Sequence, residues 1–363
     1  MNPVETPACA FSIDEILRKM VTMKASDLHL AVGSPPNIRI DGKLVPLTDY
    51  GTISNEMLKS ALYSIISDDQ KMTFEKNKEL DFSHSIPQVS RFRGNMLYQR
   101  NTLGAVFRSI PANPPTIEEL NLPPVITALS KKPRGLVLVT GPTGSGKSTT
   151  LASMVDYINR SRAEHIVTIE DPIEFLHKNQ KSIIRQRELG SDTLSFSEAL
   201  KHVLRQDPDV ILVGEMRDLD TISLAVTAAE TGHLVFGTLH TTSAASTIDR
   251  VIDVFPSNQQ AQIRMQLSTT LEGIICQTLV PKKEGKGRVC AMEILIGTLG
   301  VKNLIREGKT HMIVNMLQAG VKDGMQTLNS ALHKLVVSGA ISQEDALLKS
   351  SQPDELKSLF ART

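Results

Sequence analysis

The chain has 363 residues, with 40 basic and 39 acidic side chains and a formal net charge of +1. This length suits two domains, since a single core rarely grows beyond about 250–300 residues. The balanced charge, the lack of Trp and an aromatic content of only 4% argue against a surface built for nucleic acid, so we expect no nucleic-acid partner.

The first part of the chain mixes helix and strand patterns. Apolar spacing predicts helices at 11–24, 56–67 and 69–76. Strand patterns cover 27–31, 37–40, 43–45, 81–85, 90–99 and 104–109. Asp41-Gly42, between the second and third strands, is a strong hairpin signal. The mixture predicts a small α+β domain, which we place at residues 1–110.

A change of composition separates this domain from the rest. Residues 111–134 contain six prolines and are interpreted as a semi-rigid linker, because proline resists both helices and central strands. Beyond them, apolar strands at 135–140, 165–169, 210–213 and 234–239 alternate with helices such as 148–159. This order predicts an α/β fold with a mostly parallel sheet, followed by a helical region from about residue 297. We assign residues 135–363 to this second domain.

A glycine-rich loop lies between the first of these strands and its helix. Gly141-Pro142-Thr143-Gly144-Ser145-Gly146-Lys147-Ser148 matches the G-x-x-x-x-G-K-[ST] pattern in full, and Thr149 follows it in the nucleotide-binding segment. Glycines let backbone N–H groups turn toward phosphate oxygens, and the helix adds its positive dipole. We expect Lys147 to reach the β- and γ-phosphates and Ser148 to ligate Mg²⁺. An empty glycine-rich turn is the alternative, and the strand–loop–helix context disfavours it.

A second strand delivers a carboxylate toward the same edge of the predicted sheet. The apolar run 210–213 is followed by Gly214 and Glu215, at the end of a strand where open α/β sheets bind ligands. Many P-loop proteins place Asp where this chain has Gly214. We therefore expect Glu215 to be the acidic residue that manages Mg²⁺ and water.

A third strand, at 165–169, ends in the carboxylates Glu170, Asp171 and Glu174. Crowded carboxylates beside phosphates are costly unless a metal or a water nucleophile uses them. One of the three is therefore a candidate general base. The alternative is a capped helix start, with Asp171 as the cap and Pro172 at the first helical position.

Two histidines, His233 and His240, bracket the last predicted strand of the sheet. A lone histidine is usually a satisfied structural residue. At a strand end beside a phosphate loop, a histidine could instead sense the γ-phosphate through a hydrogen bond, and the residues alone favour neither interpretation. The guanine-reading Asn-Lys-x-Asp tetrad fails at Leu80 of Asn77-Lys78-Glu79-Leu80, so we expect ATP rather than GTP.

Cysteine usage and hydropathy bear on the compartment. Cys9, Cys276 and Cys290 are scattered and form no C-x-x-C pair, which predicts neither a disulfide framework nor a zinc site. Residues 1–10 lack the basic and apolar regions of a signal peptide. No apolar run approaches ~18 residues, so we expect no transmembrane segment and a cytoplasmic protein.

These elements together resemble the secretion ATPase superfamily and, within it, the PilT-type retraction ATPases of type IV pili. Four nucleotide motifs occur in order: a Walker A loop at 141–148, an aspartate box at 168–174, a Walker B segment at 207–218 and a histidine box at 231–240. Segments 25–30, 90–94 and 301–309 are similar to stretches more specific to the retraction branch. The resemblance runs from residue 25 to about residue 360.

The resemblance implies a PAS-like N-terminal domain and a RecA-like C-terminal domain in a homohexamer that binds ATP and Mg²⁺ between the two domains. It implies that Arg91, Arg93 and Arg108 neutralise γ-phosphate charge. It also implies Glu174 as the general base, with Glu170 in support.

The same resemblance implies a motor that retracts pili and powers twitching motility from the inner face of the bacterial inner membrane. The expected partners are the inner-membrane platform protein of the pilus and other pilus ATPases.

Three rival functions stay open at this point. An accessory, PilU-like retraction ATPase would carry very similar motifs. Pilus extension and type II secretion ATPases usually add an N-terminal domain and a four-cysteine metal module, and we expect neither here. A nucleotide-binding regulator that hydrolyses poorly is a further alternative, which the intact Lys147, Ser148, Glu174 and Glu215 disfavour.

Overall fold

The computed structural model describes residues 11–40, 42–111 and 113–361. The chain forms two compact units, Met1–Ala112 and Asn113–Thr363, each with its own sheet and core. The predicted fold class is confirmed, since an α+β unit precedes a unit with a mostly parallel sheet and a helical C-terminal region.

The described part of the first unit contains an antiparallel sheet of six strands in the order β3-β2-β1-β6-β5-β4. Its strands are β1 (Asp27–Ala31), β2 (Asn37–Ile40), β3 (Lys43–Pro46), β4 (Glu79–Ile86), β5 (Ser90–Gln99) and β6 (Thr102–Ile110). Its α-helices are α1 (Ile13–Thr22), α2 (Asn55–Tyr63) and α3 (Asp68–Asn77). One hydrophobic core joins the helices to the sheet.

Side-chain caps set the helix boundaries that apolar spacing missed. The helix predicted to reach residue 67 ends at Tyr63, because Ser67 begins the next helix instead. The Ser67 hydroxyl accepts the N–H of Gln70 at 3.3 Å, and the Gln70 side chain accepts the N–H of Ser67 at 2.9 Å. This reciprocal capping box requires extended backbone at Ser67, which a residue in a last helical turn does not have.

The hairpin predicted near residue 41 joins β2 to β3. Ile40 pairs with Lys43 in antiparallel register, which leaves two residues for the turn. Gly42 has a φ of 81°, a conformation that glycine adopts without strain. Asp41, the other residue of the predicted turn, lies outside the described residues.

The second unit contains a sheet of seven described strands in the order β13-β12-β7-β11-β10-β8-β9. They are β7 (Gly135–Thr140), β8 (His165–Glu170), β9 (Ile183–Glu188), β10 (Val210–Val213), β11 (Leu234–Leu239), β12 (Leu271–Pro281) and β13 (Arg288–Ile296). The helices among them are α4 (Pro124–Ser130), α5 (Lys147–Ser161), α6 (Phe196–Val203), α7 (Leu219–Glu230), α8 (Ala244–Asp253) and α9 (Ser257–Thr270). Neighbouring strands are parallel, apart from the antiparallel pair β12–β13.

Side chains of the central strands alternate between two cores. Leu136 and Leu138 of β7 join one core, while Val137 and Val139 join the other. Because both faces of the sheet are covered, these strands appear in the sequence as continuous apolar runs. Their parallel order brings the carboxyl ends of β7, β11, β10 and β8 to one edge of the sheet.

Helix α4 lies within the proline-rich segment that we interpret as a linker. Pro124 occupies its first turn, where a missing N–H costs no helical hydrogen bond. Ile126 and Leu129 are buried in the core of the second unit. Prolines in this segment therefore begin a helix whose apolar face packs on the sheet.

The C-terminal region is helical from Leu299 onward, as predicted, although residues 362 and 363 lie outside the described part. Its α-helices are α10 (Leu299–Arg306), α11 (Ile313–Ala319), α12 (Leu328–Val337), α13 (Gln343–Lys349) and α14 (Pro353–Phe360). No helix in the described ranges is long and apolar enough to span a bilayer.

Candidate functional site

The glycine-rich segment 141–148, called the phosphate loop after the pattern that it matches, joins β7 to α5 and carries unusual backbone angles. Gly141, Gly144 and Gly146 have φ values of 141°, 75° and 91°, which residues with a side chain rarely adopt. Pro142 and Thr143 are exposed at the middle of the loop. No side chain caps the N-terminus of the 15-residue helix α5. Its first N–H groups and its dipole are thus presented to the loop, an arrangement that suits an anion.

Lys147 folds back over the loop from the first turn of α5. Its Nζ donates to the carbonyl oxygens of Gly141, at 2.8 Å, and of Pro142, at 3.1 Å. Burial lowers the pKa of Lys147, and the negative charge of Glu215 partly offsets that effect. Glu215 therefore acts electrostatically on the lysine of the phosphate loop, while the Ser148 side chain is exposed on the same turn of the helix.

Glu215 follows β10 and forms a cluster with two basic side chains. Its Oε1 lies 2.5 Å from Nε of Arg217 and 2.9 Å from Nε2 of His240. Burial acts to raise the pKa of Glu215, but the hydrogen bonds and charges of Arg217 and His240 outweigh it and lower the pKa below its usual value. The carboxylate is therefore held ionised beside the phosphate loop.

A close approach between strand ends explains the glycine before Glu215. The N–H of Gly214 donates to the carbonyl oxygen of Ile169 at 2.7 Å. A Cβ placed on Gly214 would lie 2.9 Å from that same oxygen and 3.1 Å from Cα of Glu170. No acidic side chain fits there without moving the strands, so the acid follows one residue later.

Glu170 at the end of β8 sits in a network of donors. Thr168 Oγ1 donates to Glu170 Oε1 at 2.6 Å, and Gln186 Nε2 donates to the same oxygen at 3.1 Å. Burial raises the pKa of Glu170, and these hydrogen bonds offset only part of the rise. The backbone N–H of Glu174 also donates to the Glu170 carboxylate. Glu170 therefore holds the segment that carries Glu174.

Gln186 is a residue of this site that the motifs do not contain. Besides Glu170, its Nε2 donates to the Phe175 carbonyl oxygen at 2.8 Å, and its Oε1 accepts the N–H of His177 at 2.9 Å. One side chain on β9 thus ties the loop after β8 at two points and the last residue of β8 at a third. Its place on an edge strand between two arginines gave no sign of this in the sequence.

The loop that follows β8 is not helical. No residue from 171 to 180 is in a helix, so the alternative interpretation of Asp171 and Pro172 as a helix start is wrong. The segment is held instead by contacts to β9, including the N–H of Ile173, which donates to Glu188 Oε2 at 3.0 Å. Glu174 projects from this loop as an exposed side chain.

The two histidines lie at opposite ends of β11. His233 precedes the strand, and its Nδ1 lies 2.9 Å from the Ala228 carbonyl oxygen and 3.2 Å from Thr231 Oγ1. His240 follows the strand and contacts Glu215 at the edge that bears the phosphate loop. The structure therefore groups His240, but not His233, with the candidate nucleotide site.

The three candidate arginines belong to the first unit and share one face of its sheet. Arg93 on β5 stands directly opposite Arg108 on β6, and Arg91 lies two residues from Arg93 on the same strand face. Arg108 Nε donates to the buried carboxylate of Asp27 at 2.8 Å. Arg93 and Arg108 are exposed, which leaves both side chains accessible to an anion.

Known proteins match this chain over nearly its whole length. Residues 6–347 match the family described as type II/IV secretion system protein. The chain is 54% identical over 342 residues to the type IV pilus retractation ATPase PilT of Pseudomonas aeruginosa, which covers 94% of this chain and 99% of that protein. It is 47% identical over 354 residues to a twitching motility protein of Neisseria gonorrhoeae, covering 98% and 94%. The crystal structure of the pilus retraction motor PilT with bound ADP matches with a TM-score of 0.89 at 49% identity, covering 96% of this chain and 99% of that one.

Proposed function

We propose that this chain, which belongs to the type II/IV secretion system protein family, is an ATP-hydrolysing motor that retracts type IV pili and powers twitching motility. One observation carries the proposal. The phosphate loop, Lys147, the ionised Glu215 and its partner His240 share one sheet edge, in a chain that matches a retraction ATPase over almost its full length. A structure of such a motor with bound ADP supports nucleotide binding by this chain.

The residues at the edge fit a nucleotide with Mg²⁺. Nζ of Lys147 donates to two carbonyl oxygens of the loop, and phosphate oxygens of a bound nucleotide would accept from it at similar distances. The Ser148 hydroxyl is exposed beside that lysine, and Glu215 uses a single oxygen, Oε1, for both Arg217 and His240. We propose that Ser148 and Glu215 hold Mg²⁺, which when bound neutralises charge on the phosphate oxygens.

Two other candidate carboxylates, Glu174 and Glu170, have different proposed roles in the attack of water. We propose Glu174 as the general base, because its carboxylate is exposed and its own backbone N–H is held by the Glu170 carboxylate. Glu170 supports that loop. His240, hydrogen-bonded to Glu215, is proposed to sense the γ-phosphate, and Arg91 with its two neighbours on the sheet face to neutralise phosphate charge during the cycle.

The wider organisation is proposed from the family. We propose a PAS-like domain at residues 1–110, a connecting segment at 111–134 and a RecA-like ATPase domain at 135–363. Six such subunits would form the motor at the inner face of the inner membrane. Their partners would be the pilus platform protein and other pilus ATPases.

A phosphate-release assay on the purified protein tests the enzymatic part. Wild type is expected to release phosphate from ATP, and Glu174→Gln to lose about 10²–10⁴-fold in kcat, the usual contribution of a general base. Glu344→Gln, which changes another exposed carboxylate, on α13, is the matched control and should match wild type. Nucleotide binding without measurable turnover by wild type would assign the regulator instead.

A strain that lacks the gene tests the motor part, with wild type or Glu174→Gln returned to it. Abundant surface pili without twitching, rescued by wild type but not by Glu174→Gln, are expected of a retraction motor. Bald cells would assign pilus extension or secretion. Normal pili with normal motility would assign an accessory ATPase.

A further inference from the structure

A buried glutamine outside all four nucleotide motifs lies against the phosphate loop. Gln277 belongs to β12, which runs parallel to β7 with Cys276 opposite Thr140. One residue further along β12, Gln277 comes level with Gly141, the first residue after β7, where the loop begins. Gln277 is only 3% exposed, so its polar amide is enclosed by the protein and needs a local partner.

That partner is the backbone of the loop. Gln277 Nε2 donates to the carbonyl oxygen of Ser145 at 2.8 Å, across 132 residues of sequence. Ser145 is buried, whereas Pro142 and Thr143 are exposed, so the loop meets the sheet at this point. A carbonyl oxygen can only accept hydrogen bonds, which requires the nitrogen of the amide to face it.

The glycines at the two ends of the loop leave room for the same residue. A Cβ on Gly141 would lie 2.3 Å from the carbonyl oxygen of Gln277, and a Cβ on Gly146 would lie 3.2 Å from its Nε2. The loop therefore packs on the main chain of Gln277 at one end and on its side chain at the other. A change in that side chain should alter the position of the loop.

We propose that Gln277 is a positioning residue for the phosphate loop. A loop that binds phosphate through converging N–H groups must turn its carbonyls away, and a buried carbonyl turned away needs a donor. Gln277 supplies the donor to Ser145 and thereby keeps the neighbouring N–H groups directed at the phosphates. It acts through the loop, and this role rests on the proposed binding of nucleotide there.

Gln277→Met tests the role because methionine keeps the length of the side chain and removes the donor. The Kd for methylanthraniloyl-ADP, measured by fluorescence titration, should rise about tenfold, the effect of one ordinary hydrogen bond. The KM for ATP should rise by a similar factor while kcat changes less, since the loop contacts the phosphates before and during hydrolysis. Gln277→Glu keeps the size but presents an acceptor to Ser145, and should weaken binding at least as much.

Gln260→Met is the matched control. It removes a bond of the same type, from Gln260 Nε2 to the Phe255 carbonyl oxygen at 3.2 Å, on a helix of the same unit. Melting temperatures without nucleotide establish that each variant is folded. Wild-type affinity in both Gln277 variants, or an equal loss in Gln260→Met, would overturn the positioning role. Failure of wild type to bind the ADP probe would instead overturn the nucleotide site itself.

Discussion

Gly214→Ala should destabilise the protein and slow its ATPase activity. The added Cβ would lie 2.9 Å from the carbonyl oxygen of Ile169, whereas an ordinary C···O contact is about 3.3–3.6 Å, so the ends of β8 and β10 must separate by roughly 0.5 Å. Overpacking of this kind costs about 1–3 kcal/mol, and the stiffer unfolded chain returns about 0.4–1 kcal/mol. The net loss of about 1–2 kcal/mol predicts a fall in melting temperature of roughly 2–8 °C.

The same displacement should reach the chemistry, because these strand ends carry Glu170 and Glu215. Errors of position near 1 Å can cost about 100-fold in rate, so we expect kcat to fall about tenfold or more. The assays are thermal melting by circular dichroism and steady-state phosphate release. Gly104→Ala is the control, since a Cβ there meets its nearest neighbour at an ordinary 3.6 Å. A Gly214→Ala protein that melts within about 1 °C of wild type and hydrolyses ATP normally would refute the steric argument.

Three further predictions concern single polar side chains. Burial acts to raise the pKa of Asp27, but hydrogen bonds from Ser26 and Arg108 outweigh it and lower the pKa. The Asp27 carboxylate therefore stabilises the first unit at pH values above its unfolded-state pKa, and this stabilisation is lost as pH falls through the lower folded-state pKa. Asp27→Asn should reduce the acid-side fall in the free energy of unfolding, measured by urea unfolding at several pH values. Gln186→Met removes two hydrogen bonds to the loop after β8 and one to Glu170 at the end of that strand, so amide exchange in the loop should accelerate and kcat should fall, while a fully protected loop would contradict this. Glu293 accepts the N–H groups that begin α8 and α12; Glu293→Ala should cost about 1–3 kcal/mol in urea unfolding, and an unchanged midpoint would count against this bridge.

The strands of the second sheet were predictable where both faces are buried. The bounds predicted for the strands at 135–140, 210–213 and 234–239 are those of the structure, because a doubly covered strand reads as one apolar run. β9 was not predicted. It lies at the edge of the sheet, with the polar run Arg185-Gln186-Arg187 and an exposed Ile183, so its pairing with β8 left no hydrophobic signature.

In the candidate site, residues that act together within one short segment could be predicted from the sequence, and residues that act on distant segments could not. The loop from Gly141 to Ser148 could be predicted because its chemistry needs those residues at consecutive positions in the sequence. Gln186 and Gln277 could not be predicted, because each acts through one side-chain amide on atoms that only the fold brings near. Gln277 lies 132 residues from the carbonyl it holds, and no spacing rule connects the two.

The arginine face shows why a stable fold can keep an unfavourable pair. Arg93 and Arg108 stand directly opposite each other across β5 and β6, where like charges are destabilising. Buried Asp27 holds Arg108 at 2.8 Å, but Arg93 approaches the exposed Asp81 only at 3.9 Å. Repulsion between the two arginines therefore lowers the stability of the isolated unit, and a bound anion would offset that repulsion. Residues that disobey local rules of stability are expected at functional sites. The facing pair Arg93 and Arg108 is therefore a better reason to test phosphate as a ligand than the alternating positions of residues 91 and 93 along the strand.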